Sequence, residues 1–227
     1  MSIWKNRSIW GLAGQGATTL LAMVSNVILA RTLAPDDMGR FILFLSFGAI
    51  CSTVFGFGLS RTGMVLAAEV NKAGCKKRII GTYQRVMFIS LFILLLASVI
   101  TYVYMDTIAK YILDNKVTNI SSMLLIGLFI AMALQNTVSE FLKGAGHVVF
   151  AVTILEILLP LIRVLGFLML AVFSILSLGY ALIFQVVVLA IVVIGLLFFT
   201  PFRLVRDASR VSELSESTRP VSFAEMF

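Results

Sequence analysis

One histidine, two cysteines and a 13% share of charged residues are the scarcities of this 227-residue chain. One His and two distant Cys cannot assemble a metal centre of three or four ligands. Cys51 lies in an apolar run and Cys75 in a basic segment, so no disulfide framework is expected. There is no Ser/His/Asp set and no carboxylate pair in a polar loop. There is no phosphate-binding glycine loop and no dinucleotide fingerprint. Hydrolytic, nucleotide-driven and redox chemistry therefore find no residues to carry them, and neither a cofactor nor a metal is expected. A soluble domain is about 25% charged, twice the share present here.

Hydrophobic residues make up 60% of the chain and the mean hydropathy is +1.04. Six apolar runs account for this: Ile9–Ala30, Phe41–Leu59, Val86–Tyr104, Ser121–Ser139, Val148–Phe173 and Leu178–Phe199. A helix needs ~20 apolar residues to cross a bilayer. Barrel strands are shorter and alternate apolar with polar; Phe88–Val99 and Val186–Phe199 do not alternate. The expected fold is an all-α membrane protein of six transmembrane helices. The first run is too long for a signal peptide, and Gln15, Thr18 and Thr19 interrupt it.

The net charge of +7 would suggest nucleic acid in a soluble protein. Here topology accounts for it, and no nucleic-acid partner is expected. One set of connecting segments carries thirteen Lys and Arg, including Arg61, Lys76, Lys77, Arg78 and Arg85; the opposite set carries four. The positive-inside rule places both termini in the cytoplasm, as an even number of spans requires. The basic segment Ser60–Arg85 includes an apolar stretch, Gly63–Val70, read as an extension of the second helix or an interfacial helix. Its Lys76-Lys77-Arg78 run reads as an anchor at anionic headgroups. The opposite connection, Met105–Ile120, is charged but nearly neutral. From Pro201 the composition turns polar, and Ser222 with Glu225 fits a capping box. We therefore expect residues 1–200 to form the bundle and 201–227 a cytoplasmic linker toward a second half.

Polar groups at membrane depth are costly and face an interior or a watery path. The first helix carries Gln15, Thr19, Ala22 and Asn26 along one stripe. The second carries Gly48, Ser52 and Gly56, a small face that permits close packing. The fourth carries Asn136, Ser139, Glu140 and Lys143, with Gln135 beside them; the fifth carries Glu156 and Arg163 with Pro160 between. The third and sixth are nearly featureless, Gln185 aside. Helices one, two, four and five are thus expected to line an interior, and three and six to face lipid. Glu156 and Arg163 point the same way about 10 Å apart, too far for direct pairing on an ideal helix. Each has two readings: a structural ion pair that fixes packing, or a cavity charge. Lone His147 reads as a solvated interfacial residue. Gly144 and Gly146 read as a tight interhelical turn.

The first hairpin carries a pattern beyond composition. Leu29-Ala30-Arg31-Thr32-Leu33-Ala34-Pro35-Asp36-Asp37-Met38-Gly39-Arg40-Phe41 resembles the "aR-x-L-g-P-x-x-x-G-x-f" connection of lipid-linked polysaccharide flippases. These form the O-antigen and repeat-unit translocase branch of the multidrug/oligosaccharidyl-lipid/polysaccharide exporter superfamily. Pro35 with Asp36 and Asp37 would start a turn and Gly39 would permit a close re-entry. Gly56-Phe57-Gly58-Leu59-Ser60-Arg61 resembles that family's end of helix two, and Leu142-Lys143-Gly144-Ala145-Gly146 its turn between helices four and five. Family members have 12 or 14 helices in two six-helix halves, and this chain matches the first half.

The resemblance implies alternating access, in which a polyprenyl-pyrophosphate-linked oligosaccharide enters a cleft between the halves and leaves on the other side. It implies no enzymatic step. The partners would be the lipid-linked oligosaccharide, membrane lipids and a second six-helix half, from the same chain or a second copy. Arg61 and Arg163 become candidates for the pyrophosphate, and Gln15, Asn26 and Asn136 for sugar hydroxyls. Glu156 and Glu140 are candidates for coupling or for a structural ion pair. The location implied is the cytoplasmic membrane. Two other readings stay open: small-molecule efflux by the same fold, which a basic cavity disfavours, and a non-transporting scaffold of a polysaccharide assembly complex.

Overall fold

The computed structural model describes residues 2–56, 58–72, 76–104, 119–173 and 177–217. Its helices are α1 (Ser2–Thr32), α2 (Pro35–Phe55), α3 (Leu59–Lys72), α4 (Lys76–Val103), α5 (Asn119–Gly144), α6 (Val148–Val172) and α7 (Leu178–Ser217). All but α3 contain a stretch long and apolar enough to cross a membrane: Trp10–Thr32, Pro35–Phe55, Arg78–Val103, Met123–Gly144, Val148–Val172 and Leu178–Phe202. The protein is an all-helical bundle with six such spans among the described residues, as the sequence predicts.

Among the helix ends that differ from the sequence expectation are those of α2, α4 and α7. α2 begins at Pro35, six residues early, because Pro suits the first helical turn and Ala34 is already extended (φ −61°, ψ 149°). Asp36 and Asp37 then fall in its first turn, where the helix dipole favours acidic groups. Gly39 lies inside this helix, and a Cβ there would meet nothing within 4 Å; the expected close re-entry at Gly39 does not occur. α4 starts at Lys76 rather than Val86, taking in Arg78 and Arg85, which are exposed. α7 continues through Pro201 to Ser217, so the change in composition at 201 does not end the helix. The connection at 105–118 and the Ser222–Glu225 capping box lie outside the described residues.

α3 is neither a straight extension of α2 nor a detached surface helix. The chain breaks at Gly58, whose φ of +69° suits glycine alone among common residues. α3 then folds back along α5. A Cβ on Gly144 would strike the backbone of Met64; the two helices touch backbone to backbone there. A second left-handed glycine, Gly146 (φ +92°), closes the turn into α6. His147 N–H donates to the Leu142 carbonyl at 2.9 Å and Gly146 N–H to Lys143 at 3.1 Å, capping the end of α5.

α5 is the hub. Half of its membrane window is buried inside the bundle, against 11% for α1. Leu125, Leu128, Phe129, Val138, Phe141 and Leu142 are each at most 1% exposed. Lipid is as apolar as leucine, so close contact, small residues and interhelical hydrogen bonds hold such helices together. Hydroxyls inside the bundle turn back to their own helix: Ser90 to Val86 and Thr137 to Ala133, at 2.8 and 2.9 Å. α7 corrects the expectation that the sixth span faces lipid. Ala181, Gln185, Leu189, Val193, Leu196 and Thr200 are buried along one of its faces.

α6 has an irregular start. Val152–Leu158 is π-helical, placed between Val148–Ala151 and Leu159–Val172. Pro160 explains the position: it has no N–H, so the Glu156 carbonyl loses its regular partner four residues on. Thr18 of α1 donates its hydroxyl to that carbonyl at 2.6 Å. Gly14, one turn earlier on α1, leaves no room for a Cβ against Val152 and the Glu156 carboxylate. Gly14 and Thr18 thus seat α1 on α6.

Candidate functional site

A cleft of about 420 Å³ opens near the end of the bundle where α5 turns into α6. Five elements meet there. α2 brings Ser52 and Thr53; the break after it brings Gly58, and the start of α3 brings Ser60 and Arg61. α5 contributes Gln135, Asn136, Ser139, Glu140 and Lys143. α1 adds Thr18, and α6 adds Leu155 and Glu156. The α5 side chains recur every three or four residues, so one face of that helix supplies them all.

The charged residues form a relay across the α5–α6 turn. Lys143 Nζ lies 2.9 Å from Glu156 Oε1 and 3.2 Å from Glu140 Oε1. Glu140 is one turn behind Lys143 on the same helix; Glu156 reaches it from α6. The three side chains are 18–27% exposed, so solvent screens them only in part. Glu156 does not pair with Arg163, as the two-turn spacing already indicated. Its second carboxylate oxygen, Oε2, is buried without a hydrogen-bond partner among the described residues.

Arg61 is exposed at the rim of the cleft and forms no ion pair among the described residues. With Lys143 it makes two cationic groups in the lining, and Glu140 and Glu156 make two anionic ones. The cavity is therefore balanced, not basic as the sequence suggested. Apart from Leu155, the lining side chains of the spans carry hydroxyl, amide or charged groups. No aromatic side chain lines it among the described residues.

Of the residues singled out from sequence, Arg61, Asn136, Glu140 and Glu156 come together in this cleft, and the motif glycine Gly58 forms part of its wall. Asn26 and Arg163 do not join them. They line a separate pocket of about 120 Å³, further along the bundle toward the α1–α2 hairpin. Thr18 borders both cavities. Gln15 lines neither; it is exposed, and its carbonyl accepts from the Thr19 hydroxyl at 2.9 Å. Arg31 and Pro35 belong to the α1–α2 connection, where Arg31 sits in the last turn of α1 as a cation suits a helix C-terminus. Gly144 is a packing residue against Met64.

Two cleft residues were undervalued from sequence. Lys143 was placed on the fourth helix beside Glu140 but given no role, although its position three residues after Glu140 marks it as a same-face partner. Thr18 was passed over for Thr19, which fitted the more polar stripe. The available signal was Pro160: a proline four residues after Glu156 requires a donor from elsewhere for that carbonyl.

Residues 13–169 match the model of the MatE family. The chain belongs to the MatE family. Every cleft residue lies within the matched segment, as does Arg163. No curated protein and no solved structure matches the chain. As a MatE protein it is a multi-pass membrane transporter and not an enzyme. That assignment replaces the scaffold reading; the family match does not distinguish the polysaccharide flippase branch from the others.

Proposed function

We propose that this MatE protein moves a polyprenyl-pyrophosphate-linked oligosaccharide across the cytoplasmic membrane by alternating access, with both termini in the cytoplasm. The observation that carries this reading is the lining of the larger cleft. Ser52, Thr53, Ser60, Gln135, Asn136 and Ser139 offer neutral donors and acceptors, which suit a ligand dense in hydroxyls. Arg61, unpaired at the rim, supplies a planar donor fork for a phosphate group. A hydrophobic drug would want apolar and aromatic walls, and this cleft has Leu155 for that purpose.

A second six-helix body completes the transporter, from the same chain or from another copy. The exposed polar stripe Gln15, Thr19 and Asn26 on α1 supports this, because such groups do not face lipid. Residues 201–227 would then belong to the connection toward that body.

Extrusion of small organic cations is the competing reading. Its support is Glu156 Oε2, a buried carboxylate oxygen without a partner. Proteoliposomes separate the two. A fluorescent short-chain prenyl-pyrophosphate oligosaccharide should cross the bilayer faster with the protein than without it, and Arg61→Ala should slow that crossing. Transport of a cationic dye together with inert behaviour toward the glycan lipid would overturn the proposal and leave the family assignment standing.

A further inference from the structure

We propose that Arg163, with Asn26 and Gln185 beside it, forms a second binding site, separate from the cleft, for a small oxyanion of the phosphate type. The starting observation is a charge without a counter-charge. Arg163 lies within a membrane-spanning helix, and its Nε is sealed from solvent without a hydrogen-bond partner among the described residues. Arginine stays protonated in proteins. Among the described residues both ion pairs belong to Lys143, so no carboxylate neutralises this guanidinium. Glu156, two turns back on α6, is already held by Lys143 at 2.9 Å.

Buried charges are otherwise paired or hydrogen-bonded, because leaving them unpaired costs several kcal/mol, roughly. Arg163 is partly exposed, with its Nε sealed, and it borders a cavity, an arrangement suited to binding an anion. The cavity fits the assignment in size and in walls. Its volume is about 120 Å³, against 420 Å³ for the cleft. The smaller size suits a compact group such as a phosphate. Leu29, Phe41, Leu45 and Phe167 make much of the wall, and their low polarity strengthens any charge attraction inside. Asn26 and Gln185 add amide groups; Gln185 is 3% exposed and comes from α7, a helix that contributes nothing to the cleft.

The site rests on the proposed function only for the origin of the anion. A diphosphate of the transported lipid and the headgroup of an anionic phospholipid share the same chemistry. Arg163 contacts would be paired N–H···O bonds to phosphate oxygens in either case. For a transported diphosphate, Arg61 and Arg163 would be two stations along one path, with Thr18 between them.

The test is thermal unfolding of the purified 227-residue chain in detergent, with inorganic pyrophosphate, farnesyl diphosphate or phosphatidylglycerol added. The wild type should be stabilised by at least one of these. In an Arg61→Ala background, which keeps the rim arginine from binding the probe, the stabilisation should persist, and adding Arg163→Met should abolish it, with affinity down at least tenfold. Without any anion, Arg163→Met should unfold at the same temperature as wild type or higher, since it removes an uncompensated charge and keeps the stem volume. Arg163→Lys should keep part of the anion response, which guards against a folding defect in the methionine variant. A response confined to the diphosphates points to transported lipid, and one confined to phosphatidylglycerol points to a membrane headgroup. An anion response that survives Arg163→Met in the Arg61→Ala background, or no response of the wild type to any probe, overturns the site. Failure of glycan-lipid transport alongside Arg163-dependent anion binding counts against the proposed function alone.

Discussion

The Thr18 hydroxyl stands 2.6 Å from the carbonyl oxygen of Glu156, joining α1 to α6 where Pro160 has removed the regular helical donor. The same hydroxyl is 3.0 Å from the Gly14 carbonyl of its own helix. It has one hydrogen, and the shorter contact, to the carbonyl whose regular donor is a proline, is the one with more to gain. α1 is the least buried span, and this bond and the Gly14 contact are two points at which it meets α6.

Thr18→Val keeps the shape and removes the donor. It should lower stability by about 1 kcal/mol, within the range for interhelical hydrogen bonds in membranes, and lower transport as well because α1 borders both cavities. Thr18→Ser should behave as wild type. Unfolding temperature in detergent, read beside transport in proteoliposomes, checks both statements.

The inward stripe read on α1 holds in its second half, where Ala22 and Asn26 line the pocket of Arg163, and is rotated in its first, where Gln15 and Thr19 are exposed. The stripe Gln15, Thr19, Ala22 and Asn26 was expected to face inward. Gly14, Thr18, Ser25 and Leu29 are the residues that meet α2 and α6. The two sets are one residue apart, or about 100° around the helix. Small and polar residues occupy both, so periodicity could not choose between them. The spans themselves were legible because apolar length dominates any other signal. So was the polar face of the fourth span, where Asn136, Ser139, Glu140 and Lys143 sit on short spacings beside a glycine turn. The balance of charge in the cleft was not legible, since it depends on α6 folding back far enough for Glu156 to reach Lys143.

That contact gives a second prediction. Lys143→Met leaves Glu140 and Glu156 without their shared cation at partial burial. It should destabilise by roughly 1–3 kcal/mol, the scale of hydrogen bonds to charged groups. Glu156→Gln should cost less, because Lys143 retains Glu140. A double-mutant cycle between positions 143 and 156 measures the coupling. A coupling near zero would mean that solvent already screens the pair.

Two glycines separate packing from motif. A Cβ at Gly144 strikes the backbone of Met64, which cannot rotate away, so Gly144→Ala should push α3 off α5 and sharply reduce the yield of folded protein. A Cβ at Gly39 meets open space in a regular helix, so Gly39→Ala should be neutral or slightly stabilising. Folded yield by size-exclusion chromatography in detergent compares them directly. Equal yields would show that α3 is not held against α5 at Gly144.

Arg61 and Arg163 should respond differently to substitution although both are candidates for one anionic substrate. Arg61 is exposed at the rim of the larger cleft and has no ion-pair partner among the described residues. Arg61→Ala should leave the unfolding temperature unchanged and weaken capture of the glycan lipid, read as a higher substrate concentration at half-maximal transport. Arg163 lies in the narrower pocket beyond Thr18. Arg163→Ala should leave membrane insertion intact and abolish transport at any substrate concentration, because the later station is missing. Arg163→Lys supplies the charge without the planar fork, so the activity it keeps measures how far charge alone suffices. Concentration series in proteoliposomes for the three variants distinguish a capture defect from a passage defect. Identical profiles for Arg61→Ala and Arg163→Ala would remove the reason for placing the two arginines in sequence along the path.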